Sequence, residues 1–245
     1  MFDNKRALYA IDFIQNLKHT KGKWAGVPFK LLPWQYEIIK DVFGTVDENG
    51  RRQYQYVYLE VPKKNGKSEL AAAIALLMTY GDGEVNGEIY SCASDRSQAS
   101  LMFDVAYDMM KQSPALTKRT KAQPSLKQMT DKTSGSTYKV VSAEAFTKHG
   151  LNVSCCIFDE LHAQPNRDLW DVMTTGSGDA RDEPLFFTIT TAGNDVNRPQ
   201  SGGKSTKKPV KSSAEKRKTP VGTAKFGALN PILTVIYGMR NCGTR

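Results

Sequence analysis

The sequence predicts an α/β fold, a mostly parallel twisted sheet with helices on both faces. Three observations predict it. Residues 56–61 read Tyr-Val-Tyr-Leu-Glu-Val and pass through a polar turn with one glycine into 70–78, Leu-Ala-Ala-Ala-Ile-Ala-Leu-Leu-Met, a helix with no polar face. Residues 151–158 and 184–190 are apolar runs of strand length, the pattern of strands buried on both faces of a sheet. Apolar strands alternating with helical segments build parallel sheets.

The 245 residues, 40% of them hydrophobic, suffice for one large domain or two small ones with a sizeable core. No run approaches the roughly 20 apolar residues of a membrane span, and Met1-Phe2-Asp3-Asn4-Lys5-Arg6 lacks an apolar signal core. The expected setting is cytosolic, without membrane contact. Cys92, Cys155, Cys156 and Cys242 show no Cys-x-x-Cys spacing, and His19, His149 and His162 do not cluster with them, so buried reduced thiols are expected rather than zinc or disulfides. The net charge of +9 is uneven: residues 197–245 hold eleven of the 34 Lys and Arg but one of the 25 acids, which leaves 1–196 at −1. Any argument for nucleic-acid binding from overall charge therefore rests on the tail.

In chain order, residues 4–18 place Ala7, Leu8, Ile11, Phe13, Ile14 and Leu17 at helical spacing. A Gly- and Pro-containing loop over 19–29 follows. Pro33 suits the first turn of a second helix, with Trp34, Ile38 and Phe43 toward the core. Gln35 falls in that first turn, where its amide can face outward. A turn at Asp47-Glu48-Asn49-Gly50 precedes a strand over 53–61, and a second strand spans 87–93. A helix from Ser94 to about Lys111 carries Leu101, Val105, Met109 and Met110 on one side. Residues 113–140 are irregular, with a hairpin turn at Ser134-Gly135-Ser136 before a strand from Thr137. A short helix at 167–173 separates the two buried strands.

The chemistry gathers at strand ends. Strand, Gly66-Lys67-Ser68 and buried helix are the context of a phosphate-binding loop. Backbone N–H groups and the helix N-terminus would hold phosphate, Lys67 would reach the β- and γ-phosphates, and Ser68 would hold Mg²⁺. The usual first glycine, five residues before Gly66, is Val61, and a solvated basic turn is the competing reading. Asp159 and Glu160 directly follow a buried strand, a costly place for two acids without partners. Asp159 would hold Mg²⁺ through its water shell and Glu160 would act as general base; a helix-capping acid pair is the alternative. The amide of Gln35 has the donor and acceptor needed to read an adenine edge. Thr190, Thr191 and Gly193 at the tip of the last strand could sense the γ-phosphate.

These pieces together resemble the ATPase domain of the large terminase subunit of tailed bacteriophages. The residues that carry the resemblance are Leu32-Pro33-Trp34-Gln35, Pro62-Lys63-Lys64-Asn65-Gly66-Lys67-Ser68, Ile157-Phe158-Asp159-Glu160-Leu161-His162-Ala163, Arg167-Asp168-Leu169-Trp170-Asp171 and Thr190-Thr191-Ala192-Gly193. The resemblance implies a RecA-like P-loop fold of the ASCE type over 1–196, ATP and Mg²⁺ as cofactors, and ATP hydrolysis that drives packaging of double-stranded DNA. It implies an adenine-reading Gln35 and a deviant phosphate loop in which Lys63 or Lys64, ahead of Asn65, replaces the missing glycine. It also implies a coupling motif at Thr190, Thr191 and Gly193. Arg96, Arg119, Arg167 and Arg181 are candidates for an arginine finger. A homo-oligomeric ring, a portal protein and a small terminase subunit are the implied partners, and the cytoplasm of the bacterial host is the implied location.

Residues 197–245 are expected to be a basic, disordered tail, and the nuclease domain of the family is not expected from this chain. A neighbouring reading frame over 199–209 can encode a Trp-Glu-x-His element of the family, and 231–238 again resembles its next strand, so a frame disruption between about 198 and 229 is one reading of the tail. Two alternative functions fit the residues: a superfamily 2 helicase-like ATPase, and an inactive remnant whose basic tail binds nucleic acid.

Overall fold

A computed structural model describes residues 1–62, 64–93, 96–142, 151–160, 168–175, 180–191, 222–224 and 234–238. Helix α1 (Asn4–Gln15) starts on Asp3, whose carboxylate accepts from Lys5 N at 2.9 Å and Arg6 N at 3.1 Å. Helix α2 (Pro33–Gly44) opens on Pro33, as the sequence predicts. Then follow β1 (Tyr56–Val61), α3 (Lys67–Tyr80), β2 (Glu88–Ala93), α4 (Arg96–Lys111) and α5 (Pro114–Arg119). Next come β3 (Thr120–Gln123), β4 (Gln128–Asp131), β5 (Thr137–Ser142), β6 (Val153–Asp159), α6 (Asp168–Thr175) and β7 (Leu185–Thr191). Strands β8 (Gly222–Ala224) and β9 (Thr234–Gly238) complete the described elements.

One sheet joins the strands in the order β3-β4-β5-β2-β6-β7-β1-β9-β8. The five central strands, β5, β2, β6, β7 and β1, run parallel. Their C-terminal ends therefore share one edge, where ligands of open parallel sheets bind. Strand β7 lies between β1 and β6, with Val61 opposite Thr191 and Asp159 opposite Ile189. The phosphate-loop strand and the acid-bearing strand thus flank the threonine-tipped one.

Helices cover both faces. Helix α3 is buried from Leu70 to Tyr80, as a helix without a polar face must be. It packs with α1, α2 and α4 against one side of the sheet. On the other side Leu169 and Met173 of α6 meet Phe158, Phe186 and Tyr90. Cys155 joins the first cluster and Cys156 the second, so the adjacent thiols point to opposite faces, as side chains alternate along a strand. Cys92, Cys155 and Cys156 are free and buried.

The β3–β4 hairpin, preceded by α5, is absent from the pattern of the sequence, which is short of apolar residues there. Asp131 organises it. Its carboxylate accepts from Arg119 Nε at 2.8 Å and Nη2 at 2.5 Å, from Thr133 N at 3.1 Å, and from Ser134 N and Oγ at 3.2 and 2.8 Å. Burial pushes the Asp131 carboxyl up, but these hydrogen bonds outweigh it and hold it at about 2. The folded-state value lies below the unfolded one of about 3.9. The stabilisation is therefore complete above that range and is lost as pH falls toward 2. Asp131→Asn should cost about 2 kcal/mol at neutral pH and flatten the melting temperature's dependence on pH between about 4 and 2. Thermal melts of both proteins across that window check it; parallel curves would contradict it.

Strands β8 and β9 come from the stretch whose composition reads as a tail. The backbone of Thr234–Gly238 lies antiparallel beside β1, with Tyr56 opposite Gly238 and Glu60 opposite Thr234. Its β-branched and aromatic residues suit a strand. The frame reading over 198–229 falls, apart from β8, outside the described residues.

Candidate functional site

The site forms where β1, β6 and β7 end. After β1 the chain turns through Lys64 at φ 67° and Gly66 at φ 76°. Left-handed residues of this kind curl backbone N–H groups into an anion-binding concavity. Glycine at 66 meets that φ without strain. Asn65 Nδ2 braces the loop by donating to Pro62 O at 3.1 Å. Helix α3 starts at Lys67, and Leu70 N donates to Gly66 O at 3.0 Å. The N–H groups of Lys67, Ser68 and Glu69 therefore lead the helix at its positive end.

Lys67 is the hub. Its Nζ donates to Glu160 Oε1 and, at 2.6 Å, to Thr191 Oγ1, and it lies 3.8 Å from Asp159 Oδ1. Thr191 Oγ1 donates to Glu160 Oε1, and Thr191 N and Thr190 Oγ1 donate to Glu160 Oε2 at 2.8 and 3.0 Å. One carboxylate thus ties the phosphate-loop lysine to the tip of β7. Glu160 takes φ 49°, an uncommon conformation for a side-chain-bearing residue, and its N donates to Ile189 O at 2.9 Å. The turn that ends β6 is therefore bound to β7 through backbone and side chain alike.

The two acids differ electrostatically. Burial pushes Glu160 up, but hydrogen bonds from Lys67 and Thr191 overcome it and hold the carboxyl at about 2. For Asp159 burial prevails over the attraction of Lys67, the Glu160 charge adds to it, and the carboxyl rises above its ordinary range. Asp159 Oδ1 is buried and has no hydrogen bond among the described residues. The Asp159 carboxylate, 3.8 Å from the Lys67 ammonium, and the Ser68 hydroxyl on the first turn of α3 are hard oxygen donors at the same edge of the sheet, the type of donor a magnesium ion that keeps most of its water takes.

Gln35 corrects the sequence reading. Its side chain does not face outward: the residue is 2% exposed, and Oε1 accepts from Leu32 N at 2.9 Å, closing the start of α2. The free N–H groups of a helix start attract a nearby amide oxygen, and here that pull wins over solvent. The amide nitrogen faces the loop, 3.4 Å from where a Cβ on Gly66 would sit. Lys63 and Gly193, two further candidates, lie outside the described residues, as do Arg167 and residues 161–163.

A family model for the ATPase domain of the terminase large subunit matches residues 33–205, more than half the chain. The chain belongs to this family. It is 34% identical over 180 residues to the terminase large subunit of Enterobacteria phage HK97, covering 72% of this chain and 34% of that protein. It is 29% identical over 197 residues to the terminase large subunit of Lactococcus phage p2, covering 77% and 36%. The crystal structure of the HK97 large terminase superposes with a TM-score of 0.65 at 31% identity, over 78% of this chain and 38% of that one. An ATPase-domain structure from Thermus phage P74-26 shares the fold, with a TM-score of 0.52 at 15% identity over 69% and 68%. The chain spans about a third of the length of the curated relatives it matches.

Within this terminase ATPase domain the arginine candidates separate. Arg119 is held by Asp131, and Arg181 by Glu84 Oε1, Asn152 Oδ1 and Asn86 O at 2.7–2.8 Å. Arg96 is exposed at the start of α4, just past the C-terminal end of β2 and so on the edge that carries the site.

Sequence reasoning missed one contact of the terminase loop. Glu69, directly after Ser68, lies with Oε2 2.6 Å from His19 Nδ1. The His19 ring stacks on Phe29 with centroids 4.7 Å apart. This draws the loop before α2 onto the start of α3. The one acid in the first turn of α3 was its only local signal.

Proposed function

We propose that this chain binds ATP at the ends of β1, β6 and β7 and hydrolyses it with Mg²⁺, and that in the full-length protein this hydrolysis drives double-stranded DNA into a phage capsid. The observation that carries the reading is the convergence on Lys67 of Asp159, Glu160 and Thr191 from two strands far away in sequence. Lys67 and the N–H groups that lead α3 bind the β- and γ-phosphates. Ser68 and Asp159 are the residues that would hold the magnesium ion, which supplies neutralisation of phosphate charge when bound. Glu160 accepts a proton from the attacking water as general base.

In the state described here Glu160 is occupied by Lys67, Thr190 and Thr191. Phosphate oxygens compete for the same ammonium, so nucleotide binding frees the carboxylate and loosens its hold on β7. Thr190 and Thr191 thereby report the state of the nucleotide to the rest of the domain. Lys64, Asn65 and Gly66 shape the phosphate loop, and Gln35 supports it from α2, its amide nitrogen being the group available to an adenine edge. Lys63 and Gly193 extend the same two motifs. The partners in the intact motor are a portal protein, a small terminase subunit and further copies of the chain in a ring, in the cytoplasm of the bacterial host.

The test is phosphate release from ATP by the purified chain. Turnover should require Mg²⁺, stop on chelation, and fall at least about 100-fold in Asp159→Asn. Turnover that persists in a chelator, or at the parental rate in Asp159→Asn, would refute the assignment.

A further inference from the structure

Beyond the nucleotide site, the β3–β5 end of the sheet presents a surface that the overall charge conceals. Strand register sets its two rows. Lys121, Thr130 and Thr137 lie side by side across β3, β4 and β5, and Gln123, Gln128 and Lys139 form the next row on the same face. The opposite face of these strands carries Met129 and Tyr138, which are buried against Phe103 of α4. Lys121 and Gln123 are exposed and the other four are half-buried, so the described helices leave this face open.

The face is all hydroxyl, amide and ammonium. Residues 112–142 hold six Lys and Arg and one acid, Asp131; Arg119 pairs with the buried Asp131 and Lys127 with Asp104 of α4, which leaves Lys121 and Lys139 as the cations of this face. The nearest acid on the neighbouring strand, Glu88 opposite Thr137, is engaged by Tyr90 OH at 2.7 Å and Asn152 N at 3.0 Å. Among the described strands β3 is also the outer one, which turns unpaired backbone N–H and C=O groups outward. The two rows carry no apolar side chain for a protein partner to bury; the exposed Leu126 lies outside them, in the turn between β3 and β4. Short donors and cations on an open sheet match phosphate oxygens, to which most protein–DNA hydrogen bonds go.

We propose that the open face of β3, β4 and β5, with Lys121 and Lys139 as its charged anchors, contacts the phosphodiester backbone of double-stranded DNA. This rests on the packaging reading and names the surface through which this domain touches its DNA. The contact is independent of base sequence and weakens with salt.

The test is fluorescence anisotropy of a labelled 30-base-pair duplex of arbitrary sequence, titrated with the full chain between about 0.05 and 0.2 M salt. Lys121→Glu/Lys139→Glu should weaken binding roughly tenfold or more at 0.1 M salt and reduce the slope of log affinity against log salt by about 2. Lys121→Gln/Lys139→Gln should show a smaller shift in the same direction. A charge-matched control on the exposed Lys5 and Lys30, both to Glu, should change little. Circular dichroism verifies that each variant is folded. The surface assignment is overturned if the wild type does not bind the duplex, or if the Lys121/Lys139 variants bind like the control. It is equally overturned if replacing Lys204, Lys207, Lys208 and Lys211 with Ser abolishes binding while Lys121→Glu/Lys139→Glu does not. Phosphate release measured on the same preparations separates the two ideas. Hydrolysis without this DNA contact removes the surface alone, and absence of hydrolysis removes the packaging reading.

Discussion

Lys67→Ala is expected to abolish ATP turnover and to weaken nucleotide binding at least about tenfold, the worth of one charge-assisted hydrogen bond. Glu160→Gln is expected to abolish turnover while binding is kept or tightened. The contrast follows from the geometry. The lysine ammonium is already held by Glu160 and Thr191, at a site where Asp159 lies 3.8 Å away. ATP must draw that ammonium off the carboxylate, so part of the phosphate attraction is spent on breaking an ion pair. Glutamine at 160 carries no charge to compete for Lys67, and it cannot take a proton from water. Loss of a general base typically costs about 10²- to 10⁴-fold in rate. Steady-state phosphate release and equilibrium binding of a fluorescent ATP analogue check the pair. Parental turnover in Glu160→Gln, or unchanged binding in Lys67→Ala, would remove these residues from their roles.

Arg52→Ala is expected to destabilise the fold by about 3–5 kcal/mol, the penalty for breaking a buried ion pair by removing one partner. Arg52 is 2% exposed and sits at the opposite edge of the sheet from the nucleotide site. Its Nη2 donates to both Asp82 oxygens at 3.0 and 3.1 Å and to Glu183 O at 3.1 Å, and its backbone N donates to Glu183 Oε2 at 2.8 Å. The guanidinium also stands 5.1 Å from the Phe43 ring. Arg6 Nη2 donates to the same Glu183 carboxylate at 2.6 Å. One side chain therefore joins the turn before β1, the end of α2, the end of α3 and the entry to β7. Removing it takes from the buried Asp82 carboxylate its hydrogen-bonded cation and leaves it the weaker, more distant charge of Arg6. Urea unfolding of the variant and the parent measures the loss. A midpoint within error of the parent would show that Asp82 and Glu183 are satisfied without Arg52.

How far the fold was legible in the sequence depends on how local each signal is. Residues 56–78 and 151–160 announced themselves because a strand, a one-glycine turn and an all-apolar helix are patterns of neighbouring residues. The same locality exposed Lys67, Ser68, Asp159 and Glu160 as candidates. Gln35 shows the limit. Its place in the first turn was read correctly, and its direction was not, because the outcome depended on whether solvent or Leu32 N claimed the amide. The β3–β4 hairpin escaped for a different reason. Its strands are four residues each and one face is polar, so no run of apolar residues marked them.

The sequence by itself determined the buried central strands, the helices that alternate with them and the residue types available for phosphate chemistry, since backbone propensity and hydrophobic period act over a few residues. Only the tertiary structure decided which charges meet. Lys67 and Glu160 are 93 positions apart, and Arg52 and Glu183 are 131 apart. Such pairs are chosen by the order in which strands join the sheet, where β7 lies between β1 and β6 and brings Thr191 to Lys67. Coulomb attraction at contact distance is strong where water is excluded, but nothing in a linear chain states which partner burial will supply.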